Sequence, residues 1–408
     1  MSDYLVDGQR VSQDDAGFTT ALVTAYARHD RPLCLCSSQR PQMYVAHLGA
    51  KFIVKRMPGT GSLHAPDCPS YEPPAEMSGL AQVIGTAITE LPDTGTTLLK
   101  LDFALSRNGK RSGFAHRGEA IGVAKNVRGL TLRGLLHYLW DQAGLTLWQP
   151  GFAGRRPWST VRRHLLAAAQ GKIACGRSLP DFLYIPEAFS VAQRDEIAAR
   201  RTVQWVHGTS STTDRHPLML LIGEVKEIVP ARFGYVAVIK HVPDQSFALE
   251  EDLYRRMARH FEQELLLWGG SATLHMVMIA SFTANGVGVP AIEELLLMLT
   301  NAQWIPVEDA FDLQLVDRLQ QTGRRFTRTL RYDAYDGIAL PTAVLLDTPN
   351  PPSPLHIERP GAMPPSSVSS NPEMPRIWVW DASRSPMPPL PGAHGAMSSR
   401  VQGVRQPV

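Results

Sequence analysis

Three of the chain's four cysteines and one histidine lie near its start, in a pattern that suits metal binding. Cys34 and Cys36 are separated by one residue, and His64 and Cys68 follow after a gap of 27 residues. Structural zinc sites hold the ion in a tetrahedron of four thiolate or imidazole ligands. These residues therefore predict one structural zinc ion, with no coordination position left open for catalysis. The alternative is an ordinary core that holds three reduced cysteines and one histidine.

Cysteine use across the chain favours a metal site over disulfides. Four cysteines in 408 residues are too few for a disulfide scaffold, and clustered Cys and His in an intracellular chain are typical of metal sites. The N-terminal residues show neither the basic nor the apolar segment of a secretion signal, so we expect a cytoplasmic protein. No apolar run approaches the ~18 residues that span a bilayer, so no membrane association is expected. Cys175 stands apart and is predicted to be a small buried hydrophobic residue.

A second group of residues with potential chemistry consists of two carboxylates and a lysine. Glu224 and Lys226 follow an apolar run, and Asp181 lies upstream, with 42 residues between it and Glu224. This is the pattern of the Asp/Glu-x-Lys nucleases, in which two carboxylates bind Mg²⁺ and the lysine orients the attacking water. Because such tripeptides are common, the favoured interpretation is a surface strand with salt bridges.

Cations form a third group, at the start of a predicted helix. The arginines are Arg155, Arg156, Arg162 and Arg163, with Trp148 and Trp158 nearby. A helix that presents such cations to phosphates would bind nucleic acid electrostatically. The alternative is a solvated helix face without a partner.

Composition bounds these hypotheses. The chain has 44% hydrophobic residues, enough for a sizeable core, and a net charge of +3 that is compatible with nucleic acid without demonstrating it. Gly59-Thr-Gly61 lacks the Lys-Ser/Thr of a phosphate-binding loop, and no Ser/His/Asp or Cys/His nucleophile stands out. We therefore identify no small-molecule substrate and expect no enzymatic activity.

The predicted elements that position these residues give an α+β protein. Periodicity predicts a helix over residues 12–29 and a hairpin of Met43–His47 with Lys51–Lys55. Along the chain we expect a zinc-ribbon-like N-terminal module, a central segment with a helix pair, a mixed β-sheet domain with packed helices, and a Pro-rich, largely disordered tail from which residues 376–380 dock as an edge strand. The expected bounds are residues 1–95, 96–177, 178–348 and 349–408.

Several segments resemble one bacterial family, domain-of-unknown-function family 1173. They are residues 33–36, 43–46, 52–61, 64–74, 134–140, 223–227, 304–308 and 331–333. The resemblance covers residues 10–350 and implies a protein encoded on plasmids or integrative conjugative elements. It implies no activity and supplies no catalytic residues, and the Pro-rich tail departs from the family pattern.

Three functions follow as hypotheses. The first is a non-enzymatic accessory protein of a mobile genetic element, with a structural zinc site and contacts to DNA. The second is a metal-dependent nuclease that uses Asp181, Glu224 and Lys226. The third is a structural partner of conjugation-element proteins, with the Pro-rich tail as the ligand.

Overall fold

A computed structural model describes most of the chain. The described residues are 2–48, 51–74, 77–107, 129–209, 216–284, 289–332, 340–348, 351–360, 377–384 and 386–393. Within them the α-helices are α1 Phe18–Arg28, α2 Leu132–Gln142, α3 Trp158–Ala169, α4 Leu179–Phe182, α5 Arg194–Thr209, α6 Glu251–His260, α7 Glu262–Gly269 and α8 Ala310–Gln321. None of these helices is both long and apolar enough to cross a bilayer.

The strands of the described residues form several separate sheets. In chain order they are β1 Asp3–Val6, β2 Gln9–Ser12, β3 Leu33–Cys34, β4 Met43–Leu48, β5 Lys51–Arg56, β6 Ile88–Leu91, β7 Thr96–Leu99, β8 Ser106–Arg107, β9 Leu147–Trp148, β10 Lys172–Ala174, β11 Arg177–Ser178, β12 Leu183–Tyr184, β13 His216–Pro217, β14 Met219–Pro230, β15 Tyr235–Ile239, β16 Ser246–Leu249, β17 His275–Thr283, β18 Ala291–Thr300, β19 Phe326–Arg328, β20 Ala343–Leu345, β21 Ser353–Glu358 and β22 Trp378–Asp381. Together with the helices they make the protein α+β, as expected.

The largest sheet is built around the long strand β14. Its strand order is β12-β14-β15-β16-β18-β17, and β14 also pairs with β17, so five of the six strands close into a ring. Both faces of β14 are covered. Met219 and Leu221 belong to one core with α6 and α8, whereas Leu220 and Ile222 belong to a second core with α2 and α3. Neighbouring residues of a strand point to opposite faces, so β14 joins these two cores.

A five-stranded sheet crosses two of the predicted boundaries. Its order is β22-β21-β20-β19-β9, so a strand of the central segment pairs with strands far along the chain. The prediction that the tail lacks regular structure is wrong for residues 353–358, because Leu355 is fully buried in β21 and Ile357 is nearly so. The predicted edge strand is confirmed as β22, which pairs in parallel with β21. The tail residues 361–376 and 394–408 lie outside the described part of the chain.

The N-terminal helix is shorter than its sequence pattern predicts. The pattern begins at residue 12, but Gln9–Ser12 forms β2, and the Asp15 carboxylate accepts a hydrogen bond from the Ser12 amide at 2.7 Å. This local bond favours a turn over a helix, and α1 begins only at Phe18. The predicted hairpin is confirmed, because β4 pairs antiparallel with β5 along its whole length.

The position of β21 and β22 predicts the effect of truncation. A chain that ends at Thr348 should lose stability or aggregate, because it exposes apolar surface of the first core that Leu355, Ile357 and Trp378 cover. A chain that ends at Ala393 keeps every described strand and should unfold like the full chain. Thermal unfolding and light scattering measure both effects. A soluble, cooperatively unfolding chain that ends at Thr348 would show that these strands are dispensable.

Candidate metal centre

Four short segments bring the predicted metal ligands together. Cys34 ends β3, where it lies opposite Tyr4 of β1, and its amide donates to the Pro41 carbonyl at 2.9 Å. Cys36 lies in the turn that follows. His64 follows a single 3₁₀ turn, and Cys68 lies in the next turn, where its amide donates to the Ala65 carbonyl at 2.8 Å. The hairpin of β4 and β5 separates the two pairs in sequence, as predicted.

The four side chains have the spacing that one metal ion requires. The Sγ atoms of Cys34 and Cys68 are 3.8 Å apart, and His64 Nδ1 lies 3.4 Å from Cys36 Sγ and 3.6 Å from Cys68 Sγ. One ligand atom from each residue lies within 4.8 Å of all the others. A zinc tetrahedron with bonds of ~2.3 Å to sulfur and ~2.0 Å to nitrogen has edges of about 3.5–3.8 Å. The residues therefore fit a metal ion bound by four protein ligands.

Backbone amides and mutual hydrogen bonds favour negative charge on the sulfur atoms. The amides of Ala65 and Ser70 donate to Cys36 Sγ and Cys68 Sγ, each at 3.4 Å. The hydrogen bond from the Cys34 thiol, together with those from His64 and Ser70, lowers the pKa of Cys68 to about 4. The same bond to Cys68, together with burial, raises the pKa of Cys34. These shifts favour a thiolate at Cys68, and a metal would displace the protons from the other thiols.

The centre is largely closed to solvent, and of its four residues only Cys36 is partly exposed. Cys34 and Cys68 are buried, and His64 is 3% exposed. The imidazole turns Nδ1 toward the sulfurs, whereas its buried Nε2 has no hydrogen-bond partner within the described residues. Four protein ligands fill a tetrahedron, so a bound metal would have a structural role and no open position for a substrate.

The metal ligands also form part of a small core. Cys34 and Cys68 pack with Tyr4, Leu22 and Met43, which come from β1, α1 and β4. The centre therefore lies where the elements of the N-terminal module meet. Each of these elements contributes side chains to this core, so the packing of each one depends on the others.

Cys175 occupies a different environment from the one predicted. It is exposed, and its φ of +51° lies in the left-handed region, next to Gly176 with a φ of +74°. Two consecutive residues with positive φ form the tight turn that joins the antiparallel strands β10 and β11. The prediction that Cys175 is a buried hydrophobic residue is therefore wrong, because Cys175 lies exposed in this turn.

The four arginines do not form one exposed basic face. The Arg156 guanidinium donates to the carbonyls of Leu147 at 2.5 Å and of Gly144, Leu145 and Gln303 at 3.4 Å, and it lies 4.6 Å from the Phe152 ring. Burial lowers the pKa of Arg156 to about 10. The Arg162 Nε donates to the Ile185 carbonyl at 2.9 Å. Only Arg155 and Arg163 are exposed, so the expected four-residue phosphate contact is wrong for Arg156 and Arg162.

The three predicted nuclease residues are not brought together either. Glu224 is 4% exposed on β14, and its carboxylate contacts Lys240 Nζ at 2.9 Å and His275 Nδ1 at 2.7 Å. Lys226 is mostly exposed at a bulge of β14 and lies 3.5 Å from Glu227. Asp181 lies half-buried in α4. Among the described contacts of Glu224, none is with Asp181 or Lys226.

Sequence reasoning missed the partners of Glu224. His275 donates to its carboxylate and stacks on Trp304, with ring centroids 4.0 Å apart and planes 4° apart. His241 approaches the second carboxylate oxygen at 3.9 Å and accepts a hydrogen bond from the Phe189 amide. These residues lie up to 80 positions away in the chain. Only the register of β14 with its neighbouring strands would have revealed them.

The fold and the site define an α+β protein with a closed centre of three cysteines and one histidine. A family model described as protein of unknown function (DUF1173) matches residues 4–383. The chain belongs to this family, as its sequence motifs indicated. No curated protein and no solved structure matches the chain.

The contacts of Arg156 predict a structural role. The Arg156→Ala variant should lose about 2–4 kcal/mol of unfolding free energy, because several backbone carbonyls lose their donor and the contact with Phe152 disappears. Arg155→Ala removes an exposed guanidinium of the same type and should change stability little. Urea unfolding of both variants measures the difference. Equal unfolding free energies of the two variants would show that Arg156 behaves as a solvated surface cation.

The environment of Glu224 predicts a pH dependence of stability. Burial raises the pKa of Glu224, but the hydrogen bonds from His275 and Lys240 outweigh burial and hold it below the ordinary value of 4.5. Its stabilisation is therefore present above pH 4.5 and disappears as the pH falls through the lowered pKa. The Glu224→Gln variant should lose about 2 kcal/mol of unfolding free energy at neutral pH. The loss is moderate because Lys240 is half exposed and solvent screens its charge.

Unfolding free energies at a series of pH values test this sign. The difference between the wild type and Glu224→Gln should shrink below pH 4.5. Glu227→Gln is the control, because the exposed Lys226 is the only ion-pair partner of Glu227 among the described residues. A difference between Glu224→Gln and the wild type that stays constant with pH would contradict the role given to the carboxylate charge.

Proposed function

We propose that this protein binds one zinc ion at Cys34, Cys36, His64 and Cys68, and that the ion has a structural role. The observation that carries the proposal is the set of distances of 3.4–3.8 Å among the ligand atoms. These distances match the edges of a zinc tetrahedron. The resulting arrangement has the ligand pairs and intervening hairpin of a zinc-ribbon-like module.

The donor set supports zinc over other metals. Thiolate and imidazole ligands select zinc, copper(I) or iron, whereas magnesium, calcium and manganese prefer oxygen. A tetrahedral site with mixed sulfur and nitrogen ligands is typical of zinc. Zinc also has no redox chemistry, which suits a centre in which three of the four ligand residues are buried.

The size of the N-terminal core supports a structural role. Its buried members are Tyr4, Val6, Leu22, Ala25, Cys34, Met43, Val45 and Cys68. A core this small stabilises a module weakly, and small modules commonly depend on a metal or on disulfides for stability. Metal binding would couple directly to the folding of β1, α1 and the hairpin of β4 and β5.

We further propose that the protein serves as an accessory protein of a mobile genetic element and contacts DNA. The support is the resemblance of the motif segments to the family to which the chain belongs. Two exposed arginines, Arg155 and Arg163, are the part of the predicted DNA contact that remains accessible.

Metal analysis of purified protein tests the zinc site. The wild type should contain one zinc per chain by elemental analysis, and Cys68→Ser should lose it, because serine does not supply the soft thiolate ligand. The variant should also lose protection of amide hydrogens in the N-terminal module, since metal binding and local folding are coupled.

Cys175→Ser is the matched control. It removes an exposed thiol far from the cluster in sequence and should retain the zinc and the amide protection. The proposal would be contradicted if the wild-type protein, purified from zinc-supplemented cells, lacked stoichiometric zinc. Equal zinc content in Cys68→Ser and the wild type would contradict the ligand assignment.

A further inference from the structure

A cavity lies between the metal-binding module and the rest of the protein. Its volume is about 240 Å³, which is room for several water molecules. One wall comes from the module and includes Arg56 and Cys68, and the other includes Asp141 of α2 and Arg325 and Thr327 at β19. The size suits a small metabolite better than a drug-sized ligand.

Two arginines, Arg56 and Arg325, line this cavity. Their Nε atoms are buried and have no hydrogen-bond partner within the described residues. Because these Nε atoms have almost no accessible surface, a ligand in the cavity would contact the terminal nitrogens of the Arg325 guanidinium group instead. An arginine donor fork binds carboxylate and phosphate oxygens in particular.

The balance of charge at the cavity favours an anion. Arg56 is neutralised by Glu72, with 2.6 Å between Nη2 and Oε1. Arg328 is buried against Asp312 and is likewise compensated. The Arg325 side chain has no ion pair or hydrogen bond in the described part of the chain, where its backbone amide donates to Asp347 and its carbonyl accepts from the Leu346 amide. One positive charge at the cavity is therefore left without a counter-ion.

The remaining polar groups complement an oxyanion. Burial and the nearby Glu72 raise the pKa of Asp141 to about 7, against the opposing effects of Thr146 and Arg56. At a pH of about 6 the carboxyl group is therefore mostly protonated and does not repel an anion. The Thr146 hydroxyl donates to Asp141 at 2.9 Å.

We propose that this cavity is a binding site for a small organic oxyanion, a carboxylate or phosphate compound, with Arg325 as its counter-ion. The terminal guanidinium nitrogens of Arg325 donate to the anion. The site is separate from the metal centre, although Cys68 and its flanking residues Pro66 and Pro69 form part of the same wall.

Calorimetric titration of the zinc-loaded full chain at a pH of about 6 tests the site, with succinate and inorganic phosphate as probes. We expect one of the two to bind with one site per chain, which also identifies the type of anion. Arg325→Gln should weaken that binding by about tenfold or more, because it removes the charge and the donor fork. Arg318→Gln changes an exposed arginine of α8 and should leave binding unchanged.

Zinc content and unfolding midpoint are measured for each variant, so a lost metal centre is distinguished from a lost anion site. If Arg325→Gln does not fold, Arg325→Lys keeps the charge without the fork and should bind more weakly than the wild type. The proposal is overturned if neither probe binds the folded wild type. It is equally overturned if the folded Arg325 variant binds as the wild type does, or if Arg318→Gln weakens binding as strongly.

Discussion

The burial of β14 on both faces is the constraint on which the rest of the fold depends. A strand covered on both sides has to be apolar at consecutive positions, and residues 219–222 are completely buried. Alternate side chains of this strand enter different cores, so neither core is complete without it. Polar residues become tolerable only beyond this stretch. Glu224 lies at that transition, where His275 and the half-exposed Lys240 compensate its charge.

The N-terminal module solves the same problem of burial by a different means. Its elements are short, and its core contains few large side chains. Three sulfur atoms and an imidazole replace apolar bulk at the point where the segments meet. A bound metal would concentrate the free energy of metal–ligand bonds in one place, and this would let short segments without long helices adopt one arrangement.

Local patterns in the sequence predicted the metal ligands, the hairpin between them and the edge strand at Trp378, because each depends on neighbouring residues. Contacts that depend on strand register were not predictable. Glu224 lies opposite Val277 in β17, which brings His275 two residues along to the same face. The sequence around Arg156 suggests a surface cation, yet its guanidinium binds the carbonyl of Gln303, 147 residues away, together with carbonyls of the preceding loop. The prolines around β21 suggested disorder, but Pro354 itself is buried in the strand, opposite Val344.

The five-stranded sheet has a consequence for the synthesis of the protein. Its strand β9 leaves the ribosome early, whereas its pairing partner β19 follows almost 180 residues later, and β22 later still. At an elongation rate of 5–20 residues per second, β9 waits about 9–36 seconds for its partner. During this time the apolar side of Trp148 has no sheet to pack against. The core of the nascent chain therefore stays incomplete during this interval. Its exposed apolar surface would then be available for binding by a chaperone.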